Sequence, residues 1–161
     1  MTSGRAFRMA WVPVLALPLL GVLACGDSPS SDDEEAVTEV VEAFLRVAGR
    51  YDLDSLSLLF APAANIGANS RRQDGQWATS TWSAEGWIET LRARTDPRPY
   101  AEPVAVFTVH VDNGQLAFVR ADATLMRDGR ARSHNIDYFT LIRHDGAWKI
   151  LSASYTAVPA P

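Results

Sequence analysis

Apolar positions change their spacing several times along this chain. Met9 to Ala24 is an almost continuous apolar run, broken by Pro13 and Pro18. From Ala36 to Arg50 the spacing becomes helical: Val37, Val41, Phe44 and Ala48 recur on one side and Val40 and Val47 widen the stripe, predicting an amphipathic helix. Asp52-Leu53-Asp54 then reads as the cap of a short second helix over Ser55 to Phe60, ended by Pro62. A third helix is predicted to start at the cap Ser83 and to present Trp87, Ile88 and Leu91 on one side before Asp96-Pro97 stops it. Between the second and third helices, Ala63 to Ser70 and Gln76 to Thr81 read as two short strands around a turn at Asp74-Gly75.

The last third carries three two-residue turn signals, Asn113-Gly114, Asp128-Gly129 and Asp145-Gly146, which divide it into the four strands of a meander. Tight hairpins at all three set a register in which Val111 faces Leu116, Arg127 faces Arg130 and His144 faces Ala147. One face then holds Phe107, Val109, Leu116, Phe118, Phe139, Leu141, Trp148 and Ile150 at one end. Arg120, Asp122, Asn135, Asp137, Ser154 and Thr156 share that face at the other end. The opposite face holds smaller, flatter residues, among them Ala117, Val119, Ala121, Tyr138, Thr140, Leu151 and Ala153. Helices in the first half and a meander in the second predict an α+β fold of about six strands, with helices on the face that carries the large aromatics.

At 161 residues there is room for one domain. Arg5 and Arg8 precede the first apolar run, which is too short and too broken to span a bilayer comfortably and ends in Val22-Leu23-Ala24-Cys25. This segment resembles the lipobox of bacterial lipoproteins, which implies a signal peptide over residues 1–24, a lipid on Cys25, and a protein exported and held on the cell envelope. Gly26-Asp27 lacks an Asp directly after the cysteine, which by the same resemblance favours the outer membrane. Residues 26–35, GDSPSSDDEE, read as a disordered acidic tether, leaving residues 36–158 as the folded domain. Without Arg5 and Arg8, thirteen basic residues face nineteen acids, a formal charge of about minus six that disfavours nucleic acid as a partner. A single cysteine excludes an intramolecular disulfide or a thiolate cluster. His110, His134 and His144 do not share a face, and the glycines lie at turns, so neither a metal nor a phosphate-bearing cofactor is expected.

The polar residues under the helices are the most informative constellation, because buried charges need partners or a ligand. Arg120 sits across from Asp137, and Asp122 from Asn135, in the tight-hairpin register. Trp77, Trp82 and Trp87 are candidate walls for a flat apolar or aromatic ligand. The flat small-residue face, centred on Ala121, is the expected surface for a homodimer.

Over residues 36–158 the chain resembles the nuclear transport factor 2-like superfamily, the SnoaL-like or cystatin-like cone fold. The resemblance rests on Tyr51-Asp52-Leu53-Asp54-Ser55-Leu56, Leu59-Phe60-Ala61-Pro62, Ile136-Asp137-Tyr138-Phe139-Thr140-Leu141 and Asp145-Gly146-Ala147-Trp148-Lys149-Ile150. The last two strings look most like its SnoaL-like, lumazine-binding branch. It implies a curved mixed or antiparallel sheet wrapped around the N-terminal helices, forming a cone closed at its narrow end by Phe139, Leu141, Trp148 and Ile150. Ketosteroid isomerase-like members place a tyrosine where this chain has Phe44 and a carboxylate base near the position of Ala68, so neither group is present. The expected function is therefore a membrane-anchored small-molecule-binding or accessory domain, with Arg120, Asp122, Asn135, Asp137 and Ser154 as the pocket floor. The alternatives are an enzyme of isomerase, dehydratase or cyclase type using Asp137 or Asp122 with Arg120, and a non-catalytic protein-interaction module.

Overall fold

The structure, a computed structural model, describes residues 31–161. Cys25, the signal segment and the first part of the acidic stretch lie outside the described residues. Helix α1 covers Ser31–Arg50 and α2 Leu53–Ser57; strands β1, Phe60–Arg71, and β2, Trp77–Ser83, follow; then come α3, Ala84–Arg92, and the meander β3 Val104–Asp112, β4 Leu116–Arg127, β5 Arg130–His144 and β6 Ala147–Pro159. The six strands form one mixed sheet in the order β2-β1-β6-β5-β4-β3, with β1 and β6 parallel and every other pair antiparallel. It is an α+β fold, as its pattern of elements predicts.

Helix α1 starts five residues earlier than the apolar stripe, so Ser31 to Glu35, expected in a disordered tether, are helical. Its acids lie in the first turn, where the macrodipole favours them. Asp33 also accepts hydrogen bonds from the Arg143 guanidinium and, at 3.3 Å, from Trp148 Nε1, with Arg143 stacked over the Trp148 ring. That contact ties the start of α1 to the β5–β6 hairpin and keeps Trp148 at the end of the molecule opposite the cavity described below. Asp52 caps α2 as predicted, but the helix ends at Ser57; Phe60 and Pro62 belong to β1, where the pairing with β6 is irregular between Phe60 and Asn65. Ser83 caps α3 as predicted, its hydroxyl accepting from the Gly86 N–H at 3.0 Å.

All three Gly turns of the meander form, with both central residues at positive φ in each. The register differs from the tight-hairpin reading because each hairpin carries one extra residue. Asp112 pairs with Leu116, not Gln115, so Val111 lies opposite Ala117. Arg127 pairs with Arg130 as expected, but Ala131 and Ser133 pair with successive residues of β4, leaving Arg132 as a bulge. His144 pairs with Ala147 as expected, and the pairing then skips Leu151. One added residue moves everything beyond it to the other face of the sheet.

The covered face consequently combines Val111 on β3, Ala117, Val119, Ala121 and Ala123 on β4, Phe139 and Leu141 on β5, and Trp148, Ile150 and Ala153 on β6, all buried. Leu116, Phe118, Arg120, Asp122, Ser154 and Thr156, expected under the helices, are displaced to the outer face. The large-residue rule fails on β4 for a steric reason: α1 crosses β3, β4 and β6 with Val37, Val41, Phe44 and Leu45 buried, and small side chains beneath it let the helix come close. Ala121, proposed as the centre of an exposed dimer face, is fully buried.

Candidate functional site

A cavity of about 170 Å³ opens between the C-terminal half of α1, α3 and the ends of β4, β5 and β6 away from Trp148. Its apolar wall is built by Phe44, Trp87 and Phe139. Phe44 stacks on Trp87 with centroids 5.9 Å apart and meets Phe139 edge to face at 5.2 Å. Polar groups enter from the rest of the lining: Tyr51, Arg94, Tyr100, Glu102, Arg127, Asn135, Asp137 and Tyr155, among apolar residues such as Ile66 and Leu91.

Several elements aim these groups inward. The Arg132 bulge turns Asn135 and Asp137 to the covered face, and skipping Leu151 does the same for Tyr155, which pairs with Asp137. Tyr100 and Glu102 come from the segment before β3. That segment is fixed at both ends of a short run: the Tyr100 N–H donates to the Gly49 carbonyl at 2.9 Å, and Ala101 makes a two-way bridge with Met126. At Gly49 a side chain is excluded, since a Cβ would stand 2.4 Å from the Tyr100 carbonyl oxygen.

The electrostatics are those of buried carboxyls. Asp137 is only 5% exposed and its Oδ2 has no hydrogen-bond partner. Burial first, and the nearby Glu102 and Asp122 second, push its carboxyl up to about 8. Burial also raises Glu102, opposed by a hydrogen bond from the Asn135 amide, whose carbonyl in turn accepts from Ser133 at 2.8 Å. Tyr100 and Tyr155 are raised by burial and then by Glu102, so both keep their protons. At neutral pH this arrangement offers O–H and N–H donors against an aromatic floor, and one carboxyl able to give or take a proton near neutrality.

Of the residues expected at the site, Asn135, Asp137, Trp87 and Phe139 do line the cavity. Arg120 and Asp122 do not: they form an ion pair with each other at 2.9 Å on the outer face, and Arg120 stands opposite Tyr138, not Asp137. Ser154 pairs with Tyr138 and borders both the cavity and a shallow outer groove beside Gly67. Trp77 is half-exposed on edge strand β2, Trp82 packs against the core away from the cavity, and Trp148 is buried at the opposite end. Glu102, Tyr100, Tyr155, Arg94 and Arg127 went unrecognised. Glu102 carried the one available signal, a lone carboxylate set between Tyr100 and Pro103 at the entry to an apolar strand. Among the described residues no three His, Cys, Asp or Glu side chains gather as a metal site, and no helix is long and apolar enough to cross a membrane.

This architecture and its cavity define a cystatin-like, nuclear transport factor 2-like domain. Solved structures of the same fold include a protein of unknown function from Nostoc punctiforme, 13% identical with a TM-score of 0.65 over 81% of this chain and 95% of that one. Another, from Shewanella baltica, is 18% identical with a TM-score of 0.58, covering 83% of this chain and all of that one. A third, from Novosphingobium aromaticivorans, is 17% identical with a TM-score of 0.57 over 78% and 82%. The model of the family described as Putative lumazine-binding matches residues 32–156, and the chain belongs to that family. No curated protein sequence matches it.

Proposed function

We propose that this chain is an exported, lipid-anchored domain that binds a small molecule in the cavity between α1, α3 and the sheet. The observation that carries the reading is Asp137: a buried carboxyl with an unpartnered oxygen, lining an aromatic cavity large enough for a single ring. A cavity of about 150 Å³ is enough for benzene. An unsatisfied carboxyl in such a place is costly unless a ligand or water completes it. The lipobox-like segment supports the anchor, and a surface patch on the outer face supports pairing of two copies through the sheet.

Native mass spectrometry of the chain purified from its own cell type tests the binding. The expected result is one small molecule per chain, absent from Ala153→Leu, which fills the cavity from β6. A chain that retains nothing and binds no single-ring compound would defeat the reading. A second reading, an acid/base enzyme, is favoured by one feature: Asp137 titrates near neutrality, where a proton can be both taken and returned. In that case Asp137→Asn would bind the retained molecule yet leave it unchanged, while the parent chain converts it. Arg120 and Asp122 pair on the outer face and do not line the cavity, so neither touches the bound molecule in either reading.

A further inference from the structure

Among the described residues, five that are not glycine hold a positive φ. Asn113, Asp128 and Asp145 are hairpin residues of the types that adopt it readily, and Ala63 sits in the irregular stretch of β1. Tyr51, at a φ of 59°, has neither reason, and left-handed backbone is a genuine outlier for a bulky side chain. It ends α1 in a Schellman arrangement: the Asp52 N–H donates to the Val47 carbonyl at 3.0 Å and the Tyr51 N–H to the Ala48 carbonyl at 3.2 Å. That arrangement usually has glycine where Tyr51 stands.

The side chain held there reaches the cavity. Tyr51 lines it together with Arg94, whose guanidinium donates to the Tyr51 hydroxyl at 3.0 Å. Arg94 is exposed, so the pair stands where the cavity meets solvent. A hydrogen bond this exposed returns little stability, and so does not account for a strained tyrosine. The Tyr51 ring packs partly against the core, which a phenylalanine would do equally. The hydroxyl is what remains to be explained.

Resting on the binding reading above, we infer that Tyr51 and Arg94 bind the ligand at the cavity mouth, and that the ligand carries an acceptor oxygen of the carbonyl type, as in a ketone, amide or carboxylate. Arg94 has only N–H donors, and its bond to the Tyr51 oxygen leaves the phenol proton free to donate. No described residue accepts that proton. The guanidinium beside it strengthens it as a donor. The two donor atoms are 3.0 Å apart, so a single oxygen meets both without spanning the cavity. A plain hydrocarbon gains nothing at this point, and an ammonium would face donors and a positive charge.

The test is equilibrium dialysis of the full chain, with the same detergent in both chambers, against acetophenone and ethylbenzene. These are single rings of nearly equal shape, and only the first has an acceptor oxygen. Acetophenone is expected to bind at least about fivefold more tightly. Tyr51→Phe keeps the ring and removes the hydroxyl, and should cut this preference to about twofold or less while ethylbenzene binds as before. Arg94→Gln should lower it as well, because the phenol loses the charge beside it. Equal binding of the two compounds by the parent chain would overturn the assignment and leave the cavity a binding site, whereas binding of neither would overturn both. A preference unchanged in a folded Tyr51→Phe chain, or in Arg94→Gln should the first not fold, would make the pair a structural tie between α1 and the segment after α3 and overturn the assignment.

Discussion

Asp137 shows how far burial alone can move a side chain's chemistry. Its carboxyl is raised to about 8 by desolvation and by Glu102, so the folded chain holds a proton there that the unfolded chain releases near pH 4. Between those values folding takes up a proton, and stability therefore falls as pH rises from about 4 to 8 and levels off above, by at most about 1.4 kcal/mol for each unit. Glu102, also raised, contributes with the same sign. Asp137→Asn is expected to flatten this slope: urea unfolding at pH 5 and pH 8 should give nearly equal stabilities for the variant and clearly unequal ones for the parent. Equal slopes in the two chains would mean that Asp137 is ionised in the fold. The tight-hairpin register singles out Asp137 by putting it across from Arg120; the structure keeps it on the covered face but opposite Ala121. Its partner Glu102 was not readable, because the two lie thirty-five positions apart and meet only when β3 closes the sheet edge.

Elements carry the next level of decision. Caps and turn positions came out as read, though the turn at Asn113-Gly114 takes in a third residue, since Ser83, Asp52 and the Gly dipeptides act through hydrogen bonds to residues within three positions. Strand faces did not, because Gln115, Arg132 and Leu151 are added without any local mark and each reverses the alternation beyond it. The same level holds the docking of the Tyr100–Glu102 segment on α1. Gly49→Ala would ordinarily favour a helix by about 0.5–1 kcal/mol. Here its Cβ would collide with the Tyr100 carbonyl, so the expected outcome is a loss of about 1–3 kcal/mol in urea unfolding, together with weaker ligand binding as Glu102 shifts. Stabilisation by Gly49→Ala would show that the segment moves away at no cost.

At the scale of the whole molecule the outer face of the sheet is the open surface. Tyr138 is 54% exposed and Phe118 46%, with Val106 and Trp77 about half exposed on the same face and the Arg120–Asp122 pair among them. Under the proposed pairing of two copies, this patch is the surface they would share. Cys25→Ser should move the chain from the membrane to the soluble fraction, and that variant should scatter light as a dimer that Tyr138→Glu separates without lowering its melting temperature. Retention of Cys25→Ser in the membrane, or a mass unaffected by Tyr138→Glu, would contradict the anchor and the interface respectively. The interface expected from tight hairpins, around Ala121, is core, and a charge there would unfold the domain instead.

The sequence by itself determined the number and kind of elements, their caps, their turns and the aromatic stock of the core, because each depends on residues a few positions apart and on composition. Tertiary structure alone decided which face α1 covers, since small residues on β4 permit a close helix that a hydrophobicity ranking does not foresee. It also decided the site: three unpaired residues reverse strand faces, separate Arg120 from Asp137, and bring Asp137, Glu102 and Arg127 to one cavity where burial, a property of the assembled fold, raises the carboxyls of Asp137 and Glu102.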